Sequence, residues 1–179
     1  MRDIVETYLG HVADHSVEHA LACLAPDFIL EFAGSGFSLT KAQAANALEW
    51  DVGANGRLRW SVIEESQTSV TVEGSEGNDF LDLVGIRPIS FRSIYTVAPT
   101  GRISRQLHTV TWGDLSLEDA MAPLTAWAAQ HEPQELNEIY PAGQMSYSGP
   151  IAARWVRLAQ RWRSALSSRE GSRDVGLST

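Results

Sequence analysis

The chain has one cysteine and one lysine among its 179 residues, and no uninterrupted apolar run long enough to span a bilayer. The lone thiol, Cys23, makes no internal disulfide, which excludes a disulfide-rich secreted scaffold and fits a reducing compartment. The lone lysine, Lys41, would have to carry any Schiff-base chemistry alone, and its place in the first turn of a predicted helix directs it to solvent. A membrane helix needs about 20 consecutive apolar residues, and the opening Met-Arg-Asp-Ile-Val-Glu lacks the apolar stretch of a signal peptide. The expected location is therefore cytoplasmic. Basic residues are also scarce, 14 against 22 acidic ones for a net charge of −8, so the footprint that nucleic acid or an anionic membrane requires is missing. Ser35 lies between Gly34 and Gly36, but the five-residue nucleophile elbow is absent, as are a phosphate-cradling loop and any repeat of solenoid length.

What is present is an ordinary globular composition, 44% hydrophobic and 20% charged, in a chain long enough to bury roughly 70% of its unfolded surface without a staple. Ile4, Val5, Tyr8, Leu9 and Val12 recur at helical spacing, and so do Val17, Ala20, Leu21 and Leu24 after the polar break Asp14-His15-Ser16. Ser16 is placed to cap the second helix and Pro26 cannot continue it. Phe28, Leu30 and Phe32 alternate as in a strand, Thr40 to Gln43 has the form of a capping box, and the alanine-rich run to Trp50 reads as a third helix stopped near Gly53. Four more strands follow, marked by Leu58-Trp60-Val62, Val70-Val72, Ile89-Phe91-Tyr95 and Ile103 to Trp112, with a helical turn closed by Gly85 between the second and third of them.

Helices then return, from Leu117 to Gln130 and, after a proline-containing loop, from Pro150 to about Leu166. The last carries one apolar stripe, Ile151, Trp155, Leu158, Trp162 and Ala165, flanked by Arg154, Arg157 and Arg161. Residues 150–179 hold six arginines against Glu170 and Asp174, so a basic end adjoins a strongly acidic body on which it can dock. Segregated helices and a mostly antiparallel sheet make the class α+β. The expected division is 1–115, a strand-rich body; 116–168, a helical extension packed on it; and 169–179, a disordered tail.

This element order, with Tyr8 in the first helix, Ala25-Pro26-Asp27 entering the first strand and Gly101-Arg102-Ile103 opening the last, resembles the nuclear transport factor 2-like superfamily. That superfamily includes ketosteroid isomerases, SnoaL-type polyketide cyclases and limonene-type epoxide hydrolases. The resemblance spans about residues 1–115. The segments from Asn78 to Ile86 and from Trp127 to Pro133, with Arg154-Trp155, are similar to a SnoaL-like subgroup without assigned activity. The resemblance implies a curved sheet wrapped round the helices as a cone, with an apolar cavity. It implies no cofactor and no metal, an apolar small molecule as ligand, and a homodimer through the sheet.

Site residues follow one at a time. Tyr8 stands where isomerases keep an oxyanion-donating tyrosine, and equally suits a core tyrosine with a satisfied hydroxyl. Phe32 stands where they keep a catalytic aspartate, and Ser93 or Ile94 near their second acid, so both acids are missing from those positions. Glu31, one residue from Phe32, points to the opposite face by strand alternation. His108 is level with an acid/base aspartate of epoxide hydrolases and cyclases; its near-neutral pKa suits a proton shuttle, against the plain reading of a buried histidine. Gln106 and Trp112 share its face. Asp79 and Asn78 fall at the expected cavity mouth, or serve as helix caps. Trp60 and Tyr95 are wall candidates. Glu73 and Glu76 offer carboxylates but no arginine to complete a hydrolase triad. His11, His15 and His19 are four apart, but the break at Asp14 to Ser16 interrupts their register as a metal face.

Two functional readings result. One is a cofactor-free isomerase, cyclase or hydrolase acting on a polyketide- or terpenoid-like molecule, with His108, Tyr8 and Asp79 as catalytic groups and Phe32, Trp60, Asn78, Tyr95, Gln106 and Trp112 as ligand contacts. The other is a non-catalytic ligand-binding or dimeric scaffold protein of the same fold.

Overall fold

The computed structural model describes residues 1–174 except 112 and 114, with side chains as far as residue 168; the expected wall residue Trp112 and residues 175–179 of the expected tail lie outside the described residues. The elements run α1 (Arg2–Ala13), α2 (Val17–Ala22), β1 (Leu24–Phe32), β2 (Ser38–Thr40), α3 (Lys41–Gly53), β3 (Arg57–Glu65), β4 (Ser69–Gly77), α4 (Asp79–Val84), β5 (Ile89–Val97), β6 (Ile103–Thr111), α5 (Leu117–His131), α6 (Pro133–Ile139) and α7 (Gly149–Asp174).

The strands form one six-stranded sheet in the order β2-β1-β6-β5-β4-β3. Every neighbouring pair is antiparallel except β1 with β6. The architecture is α+β, as the alternation pattern predicts, and the sheet is curved and unclosed with helices against its concave face, as the resemblance implies. Local signals act where expected. Thr40 and Gln43 form the capping box of α3, Asn78 Oδ1 accepts from the Leu81 amide at 2.9 Å, and Gly85 closes α4 with a left-handed φ of 88°.

Five details differ from the sequence reading. Strand β1 starts at Leu24 and absorbs Pro26, which is tolerated at a strand's beginning. The short β2 pairs with β1, and α6 takes its first turn from Pro133 inside what reads as a loop. Helix α7 continues to Asp174, beyond Leu166. Lys41 is not directed to solvent: its Nζ donates to the Leu24 carbonyl at 2.8 Å and ties the start of α3 to β1.

Two hydrophobic clusters share the molecule. The first fills the cone with Val5, Tyr8 and Leu9 of α1, Phe28 of β1, Val70 and Val72 of β4, and Phe91 and Tyr95 of β5. The second joins Trp50 and Ala54 at the end of α3 and Phe80 of α4 to Leu124 of α5 and to Trp155, Leu158 and Trp162 of α7. Trp155 is fully buried, its ring 5.5 Å from those of both Phe80 and Tyr140. Around it Arg154 pairs with Glu135 at 2.9 Å, so the flanking arginine anchors α7 to α6.

Helices α3 and α7 meet almost backbone to backbone. A β-carbon placed on Gly53 would stand 2.1 Å from the Gly149 carbonyl oxygen. Gly53 is therefore required for helix contact, and not only as a stop signal. Glycine-to-alanine in a helix ordinarily stabilises by up to about 1 kcal/mol. Here Gly53→Ala should have the opposite sign, a loss of about 1–3 kcal/mol from overpacking, read by urea denaturation; equal or higher stability would show that α7 does not press on α3.

Candidate functional site

The cone encloses a chamber of about 180 Å³. Its walls come from α1 (Tyr8, Leu9, Val12), β1 (Leu30, Phe32), α3 (Ala44, Ala47, Leu48, Asp51) and the concave face of the sheet (Leu58, Glu76, Phe91, Tyr95, Gln106, His108). A smaller hollow of about 100 Å³ adjoins it, lined by His15, Arg57, Asn78 and Leu81 and sharing Val12, Asp51, Leu58 and Glu76 with the chamber. The main volume is below the roughly 300–1,000 Å³ of drug-sized sites, so it fits a compact molecule or one end of a larger one.

Strand registry assembles the polar groups. Residues of like parity on β4, β5 and β6 face the cone, and Ser93 lies opposite His108 while Tyr95 lies opposite Gln106. On the far side of β6, Phe32 pairs with His108 and Leu30 with Gln106. Gly74 stands opposite Phe91, and a β-carbon there would come within 2.7 Å of the Phe91 ring. Its absence lets that ring lie flat against the sheet beside His108, 5.4 Å away between centroids.

The chamber brings Tyr8, Phe32, Tyr95, Gln106 and His108 together. The rings of Tyr8 and Tyr95 meet edge to face at 5.9 Å. Burial pushes both phenols well above their ordinary value, so both stay protonated and available as donors. His108 is held by Ser93, whose Oγ lies 2.7 Å from Nδ1. Burial lowers its pKa to about 4, which makes the imidazole neutral at physiological pH and a poor proton shuttle.

Three expected members stand elsewhere. Asp79 does not line the chamber: it takes hydrogen bonds from Arg57 at 2.6 Å and Asn55 at 3.1 Å, and Arg57 also engages Asp82. Asn78 caps α4 and borders only the smaller hollow. Trp60 packs in the cone's hydrophobic cluster on the edge strand β3, away from the chamber wall. The remaining candidates also resolve. Glu31 forms a two-point pair with Arg105 at 2.9 and 2.5 Å on the convex face, and Glu73 pairs with Arg92 on the same side. His15 contacts the Gly56 carbonyl at 2.8 Å from a left-handed turn residue, which separates it from the His11–His19 ring pair. Among the described residues no cluster of three or more His, Cys, Asp or Glu side chains is arranged to hold a metal.

The sequence reading missed Asp51 altogether and left Glu76 unplaced. Both line the chamber, whose wall carries no arginine or lysine, and both also border the adjoining hollow, where Arg57 stands. Burial raises Asp51 to about 7; burial raises Glu76 to about 7 as well, with the charge on Asp51 adding to the effect. With both values near 7, each carboxyl is about half protonated at neutrality. The signals were in the chain. Glu76 follows Val70, Val72 and Gly74 at the period of a strand, and Asp51 follows Ala44, Ala47 and Leu48 at the period of a helix.

No family model and no curated protein matches the chain. Solved structures do. A putative ketosteroid isomerase from Kribbella flavida DSM 17836 aligns with a TM-score of 0.54 at 16% identity, covering 64% of this chain and 80% of its own. The epoxide hydrolase/cyclase-like enzyme SalBIII, which has a role in pyran ring formation in the polyether salinomycin, aligns with a TM-score of 0.54 at 21% identity over 63% and 90%. The chain has the nuclear transport factor 2-like fold. A SnoaL-like protein of unknown function from Burkholderia thailandensis E264 shares this fold with a TM-score of 0.50 and 13% identity over 62% and 93%. At these identities the likeness establishes the nuclear transport factor 2-like architecture and leaves the chemistry to the residues.

The carboxyl pair has a signature in stability. An acid whose pKa rises on folding binds more protons folded than unfolded, so stability is greatest below the unfolded value near 4 and falls as pH climbs through about 7. Asp51→Asn should therefore stabilise the protein by about 1–3 kcal/mol at pH 8 and by much less at pH 5. Urea denaturation at the two pH values gives the comparison; no difference between them would mean that Asp51 ionises freely.

Proposed function

We propose that the protein is a cofactor-independent acid/base catalyst of isomerisation, cyclisation or hydrolysis, acting on an apolar small molecule held in the cone. The observation that carries this reading is the placement of Asp51 and Glu76 on one chamber, both with pKa values raised to about 7. General acid/base catalysis is most effective when the catalytic pKa lies near the working pH, and two carboxyls that are each half ionised at neutrality can supply an acid and a base at the same time. The ionised carboxylate takes a proton from the substrate or from a water, while the protonated partner delivers one to the departing or developing oxygen. Tyr8 and Tyr95, protonated and facing the same space, are suited to donate to charge developing on that oxygen.

By the resemblance, the positions of the isomerase acids fall at Phe32 and at Ser93 or Ile94, so Asp51 and Glu76 stand elsewhere. They enter from α3 and from the end of β4. The kinds of reaction named for the structural neighbours, isomerisation and epoxide hydrolysis or cyclisation, are ones such a pair can run, and this supports the reaction class without naming a substrate.

The test is turnover of a panel of cyclic ketones, enones and epoxides, followed by mass spectrometry in deuterated water so that proton exchange is detected with product. For any compound turned over, Asp51→Asn and Glu76→Gln should each reduce the rate by about 10²–10⁴-fold. Unchanged turnover in the double variant would remove the pair from the chemistry.

A further inference from the structure

The smaller hollow is bordered by both acids. Asp51 and Glu76, with Val12 and Leu58, stand between it and the chamber, and its other walls include His15, Gly56, Arg57 and Asn78. Its volume of about 100 Å³ has room for several water molecules, and its lining offers the polar partners that ordered water needs. Arg57 turns its guanidinium to Asp79 and Asp82, so its charge is answered on α4.

His15 lies half-buried in the turn between α1 and α2, in a left-handed conformation with φ 58°. Its Nε2 is 2.8 Å from the Gly56 carbonyl oxygen. A carbonyl oxygen can only accept, so Nε2 carries the proton of this bond and Nδ1 of the neutral ring is left to accept. Nδ1 has no hydrogen-bond partner among the described residues. The ring lines the hollow and also a narrow cleft that reaches Asp51 beside His11. The ionisable groups around it are therefore Asp51, Glu76 and Arg57 across the hollow and His11, ring to ring with His19, across the cleft. Imidazole is the side chain that ordinarily exchanges protons near neutrality.

An acid/base pair has to be reset. Once the ionised carboxylate has taken a proton and its partner has given one up, the two have exchanged states. The next turnover needs one proton off the first and one onto the second, and an apolar ligand in the chamber displaces the water that would carry them there.

We propose that the hollow is a proton route, in which His15 exchanges protons between solvent and the Asp51–Glu76 pair through water. The route presupposes the acid/base pair of the proposed function and adds to it a relay residue outside the chamber. Nδ1 takes a proton, by way of water in the hollow, from the carboxyl that has become protonated. The imidazolium passes it to the ionised partner, directly or in exchange with solvent, so each cycle leaves the proton count unchanged.

His15→Gln keeps a donor for the Gly56 carbonyl but cannot take up a proton. With any compound the protein turns over, at low buffer concentration, this variant should lose about tenfold in kcat with kcat/KM unchanged, because reset follows product release. Added imidazole should restore kcat in the variant and leave the unmodified protein unaffected. An unchanged kcat, or a loss that imidazole does not rescue, overturns the relay. Two NMR measurements need no substrate. Water–methyl NOEs should place long-lived water beside Leu81, which lines the hollow and not the chamber, and nitrogen shifts should place the proton of the neutral His15 ring on Nε2. A dry hollow or a proton on Nδ1 overturns the route. The two readings fail distinguishably: turnover kept in the Asp51→Asn, Glu76→Gln protein removes the pair and the relay with it, whereas an unchanged kcat in His15→Gln removes the relay and leaves the pair.

Discussion

Helix α3 has to satisfy two cores at once. Ala44, Leu48 and Asp51 face the chamber of the cone, while Trp50 and Ala54 enter the cluster built by α4, α5 and α7. A short amphipathic helix normally turns one face to water; this one keeps Ala42, Gln43, Asn46, Glu49 and Val52 exposed and divides its remaining positions between the two cores. The glycine at its end lets α7 approach to backbone distance. The position of α3 therefore sets that of Asp51. The helical extension is placed to hold α3 from behind, through Trp155 against Phe80 and through Gly149 against Gly53.

The chemistry of the site follows from what surrounds Asp51 and Glu76 more than from the two residues themselves. Exposed carboxylates such as Glu31 find an arginine, and its pKa is lowered by the hydrogen bond from Arg105. The chamber withholds any such partner, so burial acts unopposed and moves both acids toward neutrality. The same burial acts in the opposite sense on His108, because there the charged form is the protonated one. One physical cause thus leaves the acids near their useful range and takes the histidine out of it, which exchanges the roles that residue type alone suggests. The fold supplies the scaffold, and the electrostatics of the cavity decide which groups work.

Much of this was legible in the sequence and some was not, for identifiable reasons. Strand alternation put Phe32 and Tyr95 on apolar strand faces and Gln106 on the face of His108, because a sheet buried on one side leaves little freedom of register, while the resemblance singled out Phe32 and His108. The caps at Thr40 and Asn78 were readable because their hydrogen bonds span three residues. Asp79 was misleading: it follows a cavity residue in the chain, but the turn into α4 carries it out to Arg57. Asp51 was invisible to a search for active-site motifs because it stands in a helix that packs on β1 and also on α7, about a hundred residues later. Its neighbours Ala44, Ala47 and Leu48 nevertheless marked its face. The short strand β2 and the helix α6 are set by tertiary pairing and by a proline start, with little propensity of their own to betray them.

The central claim is that Asp51 and Glu76 share a cation-free chamber and together hold about one proton at neutral pH. Carbon NMR titration of the side-chain carboxyls in the full chain, assigned through Asp51→Asn and Glu76→Gln, measures this directly. The account predicts midpoints near 7 for both groups, with that of Glu76 moving down once the charge on Asp51 is removed. Two carboxyls that ionise independently near the ordinary value of about 4 would contradict it.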